Sequence, residues 1–124
     1  MECLVRNTTR DSVLADRVAI AASPLRRLRG LLGTRTLPMG YGLLLRPCRQ
    51  VHSFFMRYPL DLVFIDREGR VVRTIEDFAP SRCSPFVAGA AAVLELPAGA
   101  LAETPALPGD LLSVLPRTNP PEVR

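Results

Sequence analysis

His52 is the single histidine of this chain, and Asp61, Arg82 and Glu95 are charged residues set beside or within apolar runs. An imidazole titrates near neutral pH, so with a carboxylate in reach it can take and return a proton. That is the chemistry of a hydrolase or lyase using His52 with Asp61 or Glu95. The blander reading has each group satisfied on its own, His52 in the core and Asp61 by accepting turn amides. One shared network would answer both demands, because burying four polar groups separately requires a partner for each. The spacing therefore predicts a candidate pocket in which His52, Asp61, Arg82 and Glu95 meet at one rim of a sheet, with Phe54 and Met56 as its floor. Arg57 and Arg82 are the natural partners for any buried acid, since an unpaired buried charge is costly.

Other nucleophile schemes fit less well. Ser53 or Ser81 with His52 and Asp61 makes a triad only on paper: no Gly-x-Ser-x-Gly elbow is present, and Ser53 points away from His52 in a regular strand. Cys48 reaches His52 only if the backbone bends at Pro47 or Gln50. The three cysteines, Cys3, Cys48 and Cys83, are widely spaced and form no Cys-x-x-Cys pair, so reduced thiols are expected and no disulfide. With one histidine, no transition metal is expected, and no cofactor is implied.

These residues ride on short apolar runs punctuated by Pro and Gly. Residues 3–8 and 12–22 read as a hairpin turning through Asn7 to Asp11, with Asp16 breaking the apolar face as a strand end or bulge. Ser23-Pro24 starts a helix predicted over 24–32, whose Leu25, Leu28, Leu31 and Leu32 share a face and whose Arg26, Arg27 and Arg29 point outward. Residues 36–42 are loop, and Leu43 to Leu45 a buried strand. Residues 50–56 are the next strand, with His52, Phe54 and Met56 on one face and Val51, Ser53, Phe55 and Arg57 on the other. The run 60–65 is the most hydrophobic strand. It returns as a hairpin through 66–69 into 70–75, with Gly69 available for positive φ. Loop 80–85 precedes a strand over 90–96 that carries Glu95. One or two helical turns are possible over 100–107, strand 111–115 closes the sheet, and 116–124 is a flexible tail.

The run His-x-Phe-Phe-Met-Arg-x-Pro-x-Asp over 52–61 also carries a resemblance. Together with 29–35 (Arg-Gly-Leu-Leu-Gly-Thr-Arg), 42–45 (Gly-Leu-Leu-Leu), 94–99 (Leu-Glu-Leu-Pro-Ala-Gly) and 108–110 (Pro-Gly-Asp), it resembles the domain-of-unknown-function family 192. The resemblance spans roughly residues 25 to 115. It implies a compact, mostly β architecture of sandwich or distorted-barrel type and brings no activity, substrate or catalytic residue. Some members carry leader peptides or lipid-anchor signals, from which this chain departs.

A length of 124 residues with 48% hydrophobic content suits one domain, 1–124, with its core over about 3–115. The expected fold is mostly β (α+β), an antiparallel sandwich or distorted barrel with one short helix near 24–32. No apolar run approaches the ~18 residues of a membrane span, so a soluble, cytoplasmic protein is expected. The net charge of +4 comes from 16 arginines and no lysine, spread along the chain. Nucleic-acid binding needs clustered charge, so nucleic acid is not the expected partner. The leading functional reading is a non-catalytic binding module for a small molecule or protein segment. The hydrolase or lyase is the alternative, and nucleic-acid binding the third.

Overall fold

The computed structural model describes residues 2–21, 37–53 and 57–117. Seven strands form one sheet in the order β5-β4-β6-β3-β2-β1-β7, where β1 is Glu2–Asn7, β2 Ser12–Ala21, β3 Tyr41–Leu45, β4 Leu60–Ile65, β5 Val71–Phe78, β6 Ala92–Pro97 and β7 Leu112–Pro116. Every pairing is antiparallel except β2 with β3. The sheet curls into a half-barrel, the open form of the barrel the sequence predicts. A single turn of helix, α1 (Ala100–Glu103), follows β6. The helix expected over 24–32 lies outside the described residues.

The central strands are the ones whose sequences leave no polar face. All six residues of β4 (Leu-Asp-Leu-Val-Phe-Ile) and all six of β6 (Ala-Val-Leu-Glu-Leu-Pro) are buried, as expected of strands covered on both sides. The apolar residues fall into two clusters. One draws from all seven strands, including Val5, Val18, Leu44, Val63, Val71, Leu94 and Leu112, and is the inside of the curl, plugged by Leu101 of α1. The other takes Leu43, Leu62, Phe64 and Val93 from the outside of the same strands and packs them under Val51, Val87 and Ala90.

Two hairpins pair as predicted, β1 with β2 and β4 with β5, each with register shifts along the ladder. The break at Asp16 is a bulge: Val5 pairs with Ala15 and Cys3 with Val18, leaving Leu4 opposite both Asp16 and Arg17. The amides of Asp16 and Arg17 both donate to the Gly40 carbonyl, each at 3.0 Å. Two expectations are corrected. Residues 50–53 form no strand of the sheet, and only His52 makes an isolated bridge, to Cys83. This run pairs instead with the loop at 79–90, to which its backbone is hydrogen-bonded. The final strand is an edge that runs through Pro116, and the Arg117 amide still donates to the Glu2 carbonyl at 3.1 Å.

The two edges, β5 and β7, meet at one corner. The Val71 amide donates to Asp110, that of Gly109 to Val71 and that of Leu112 to Gly69, each at 2.8 Å. The corner is braced from the β1–β2 turn. One Asp110 oxygen accepts the Asn7 side-chain amide at 3.0 Å, the Arg10 guanidinium at 2.6 Å and the Leu107 amide at 3.0 Å. Burial pushes the Asp110 carboxyl up, but the bonds from Asn7, Leu107 and Arg10 outweigh it and hold the group below its ordinary value.

Gly69 is required at this corner twice over. Its φ is +93°, and a Cβ there would lie 2.3 Å from the Leu112 carbonyl oxygen. Gly109 has the same backbone hand, φ +94°, with nothing within 4 Å of a Cβ. Gly109→Ala is therefore expected to cost the conformational penalty alone, about 1–2 kcal/mol. Gly69→Ala is expected to cost clearly more, roughly 3 kcal/mol or above, because overlap with backbone adds to that penalty. Urea denaturation of the two variants measures this, and equal losses would show that the corner is loose.

Candidate functional site

The two all-buried strands carry one acid each, and the register sends them apart. Asp61 pairs with Leu96 and so faces the inside of the curl, whereas Glu95 pairs with Leu62 and Leu43 and faces the outer cluster. Asp61 is fully buried, and its two oxygens are both committed: Oδ1 accepts the Asp77 amide and Oδ2 the Leu101 amide, each at 2.9 Å. Asp77 sits at φ 55° where β5 bulges opposite Asp61, and Leu101 is the second residue of α1. One carboxyl group thus ties the β5 bulge to the helix that plugs the curl. Glu95 is 1% exposed amid apolar neighbours, so the outer-face placement that would have made it unremarkable does not occur.

His52 and Arg82 belong to a pair of loops laid over the outer cluster. Residues 49–53 are laced to residues 79–90. The Ser53 amide donates to the Arg82 carbonyl at 2.8 Å, Ser84 to Val51 at 2.7 Å and Val87 to Arg49 at 2.9 Å. Ser53 Oγ donates to the Ala79 carbonyl at 2.6 Å and accepts the Arg82 amide at 2.9 Å, so this hydroxyl is a structural tie. Cys48 Sγ donates to the Gln50 carbonyl at 3.1 Å. The Arg82 side chain is exposed, as is Arg57, and His52 is half-buried opposite Cys83. Phe54 and Met56 lie outside the described residues. The single rim expected for His52, Asp61, Arg82 and Glu95 is thus corrected: strand parity sends the two acids to opposite faces.

A different place gathers chemistry. Past the corner where β5 and β7 meet, the β7 edge and the 66–69 turn diverge and leave a cleft of about 590 Å³ into the inside of the curl. Its floor is Leu44, Ile65, Ala92, Leu112 and Val114, and its rim Arg46, Asp66, Arg67 and Glu68. Asp66 is engaged by its own turn, where Oδ1 accepts the Glu68 and Arg70 amides at 2.9 Å each. None of the sequence-predicted pocket residues that are described, His52, Asp61, Arg82 and Glu95, lines it. The turn at 66–69 and the last strand are both legible in the sequence; their approach across the barrel mouth is set by topology, which no local pattern encodes. Among the described residues no group of three or more His, Cys, Asp or Glu could hold a metal ion. No helix among them is long and apolar enough to cross a membrane.

The described chain is thus a small curled sheet with a buried acid on each of two central strands. The profile of domain-of-unknown-function family 192, described as an uncharacterized ACR, matches residues 5–114, and this chain belongs to that family. Among curated proteins none matches at a significant level. A protein of unknown function from Novosphingobium aromaticivorans superimposes with a TM-score of 0.75 at 22% identity, covering 91% of this chain and 84% of that one. A Sinorhizobium meliloti protein, described as a proposed transcription regulator, gives a TM-score of 0.71 at 27% identity, covering 91% and 92%.

The bonds at Asp61 make its role testable. Asp61→Asn turns an NH₂ group toward a backbone amide, leaving two buried donors face to face. It is expected to lower unfolding stability by about 1–3 kcal/mol. Arg82→Ala, which leaves every backbone bond of the loop pair in place, is expected to stay within about 0.5 kcal/mol of the parent. Chemical denaturation of both variants measures this, and a neutral Asp61→Asn would contradict the tie.

Proposed function

We propose that the protein is a non-catalytic binding module whose site is the cleft at the open mouth of the half-barrel. The observation that carries this reading is the combination of an apolar floor on four strands with a polar rim, at a volume inside the range of ligand pockets. The hydrolase or lyase reading loses support from the same geometry. Both Asp61 oxygens hold backbone amides inside the curl, and Glu95 and His52 both lie on the outer side of the sheet, away from this cleft. Asp61, so engaged, is a structural tie, and no acid–imidazole pair lines the cleft.

Nucleic acid is the second reading, favoured by the description of the S. meliloti relative as a proposed transcription regulator. Arg46, Arg49 and Arg67 do stand around neighbouring clefts at this end, but Asp66 and Glu68 are interleaved with them. Phosphate recognition favours a run of one sign.

Anilinonaphthalene sulfonate, an apolar anion, is a suitable probe of the mouth. One saturable site is expected, abolished by Val114→Trp, which fills the cleft, and retained in Arg82→Ala. Dye binding that survives Val114→Trp would overturn the assignment. Displacement by duplex DNA that weakens steeply with salt would favour the nucleic-acid reading.

A further inference from the structure

We infer that the occupant of this cleft is an extended peptide segment that pairs with the free edge of β7 and carries an apolar side chain beside a carboxylate. The inference rests on the binding-module reading above and adds the class of ligand.

The first observation is the unfilled edge. Thr8 donates to the Leu111 carbonyl and Arg117 to that of Glu2, so in the antiparallel β1–β7 ladder the odd residues 111, 113, 115 and 117 turn their backbone groups toward β1. The even residues turn theirs outward. At the corner these outward groups are used: the Asp110 carbonyl accepts Val71, and Leu112 donates to Gly69. Two residues further on, the outward N–H and C=O of Val114 meet no hydrogen-bonding group among the described residues. Pro116, next in the outward series, has no N–H to give. The edge therefore offers one donor and one acceptor, at the wall of the cleft, to a partner that is itself extended backbone.

The second observation is what surrounds that pair. Val114 and Leu112 share a side of β7, and with Leu44, Ile65 and Ala92 they present an apolar floor beneath the strand position a ligand would take. An apolar side chain of the incoming segment fits there. The third is charge. Arg46 and Arg67 are both exposed at the rim, and neither is in an ion pair among the described residues. Asp66 and Glu68 stand beside them, but the Asp66 carboxylate is taken up by the amides of its own turn, and both guanidinium groups keep their donor forks unengaged by any carboxylate among the described residues. A carboxylate on the segment suits these forks, because arginine binds carboxylates through two parallel bonds.

The test uses blocked pentapeptides, acetyl-Thr-Xaa-Glu-Xaa-Thr-amide with Xaa as Val, Leu, Ile or Phe, competing with the bound dye. At least one member is expected to displace the dye and to shift the Val114 amide resonance more than those of Leu112 or Gly109. Methylation of the peptide's backbone nitrogens, or Lys in place of Glu, is expected to weaken displacement about tenfold or more. A methylated peptide that binds as well as its parent would overturn strand pairing. Dye that binds in a Val114-dependent way yet yields to no peptide would overturn this inference and leave the binding-module reading standing. Failure of both dye and peptides would overturn the two together.

Discussion

Three backbone hydrogen bonds of 2.8 Å join the two edges of the sheet at Gly69, Val71, Asp110 and Leu112, and much of the molecule depends on where that contact stops. A curled sheet with two free edges is an aggregation hazard unless the edges are covered or closed. Here they close over only a few residues. The contact is stiffened by a glycine that cannot carry a Cβ and by a buried aspartate drawing Asn7, Arg10 and Leu107 onto one oxygen. Beyond it the strands part, and the parting is the mouth of the cleft. The cleft is thus a consequence of incomplete closure, held open by the same bonds that close the rest.

The buried acids of the central strands show how little of this chain's polar chemistry is available to a ligand. Asp61 lies in the most hydrophobic strand of the protein, where an uncompensated charge would be prohibitive. It is tolerated because the β5 bulge and the first turn of α1 each present an amide with no ladder partner. Ser53 and Ser84 do the same for the outer loops, where residues 49–53 and 79–90 form no strands yet must still satisfy their backbones. Asp61, Ser53 and Ser84 therefore serve as joints. The residues at the mouth, Arg46 and Arg67, are ordinary surface residues in the sequence.

Much of the fold is legible in the sequence, and for physical reasons. The β4–β5 hairpin follows from an apolar run, a turn with Gly69 in place, and a second apolar run. The bulge at Asp16 is visible as a charge that breaks period two. The reading of Asp61 as a carboxyl accepting amides is also open to the sequence, because Pro59 and the strand around it leave few other uses for a buried acid. The sequence fails where the answer is a matter of sheet order. Asp61 and Glu95 look like companions because both interrupt apolar strands, but a single step in register decides which face each one takes. Residues 50–53 have the alternation of a strand and lack a strand to pair with. The approach of residues 66–69 to β7 joins segments more than forty positions apart, and nothing local announces it.

Amide hydrogen exchange in the free protein tests the central claim most directly, since it reads the closed corner and the open edge in one experiment. The account requires the Val71, Gly109 and Leu112 amides to be protected by their bonds across the corner. The Val114 amide, two residues along the same strand, should exchange faster than all three. A Val114 amide as slow as that of Leu112 would mean that the edge is already filled, and would contradict the account of the mouth as an open strand position.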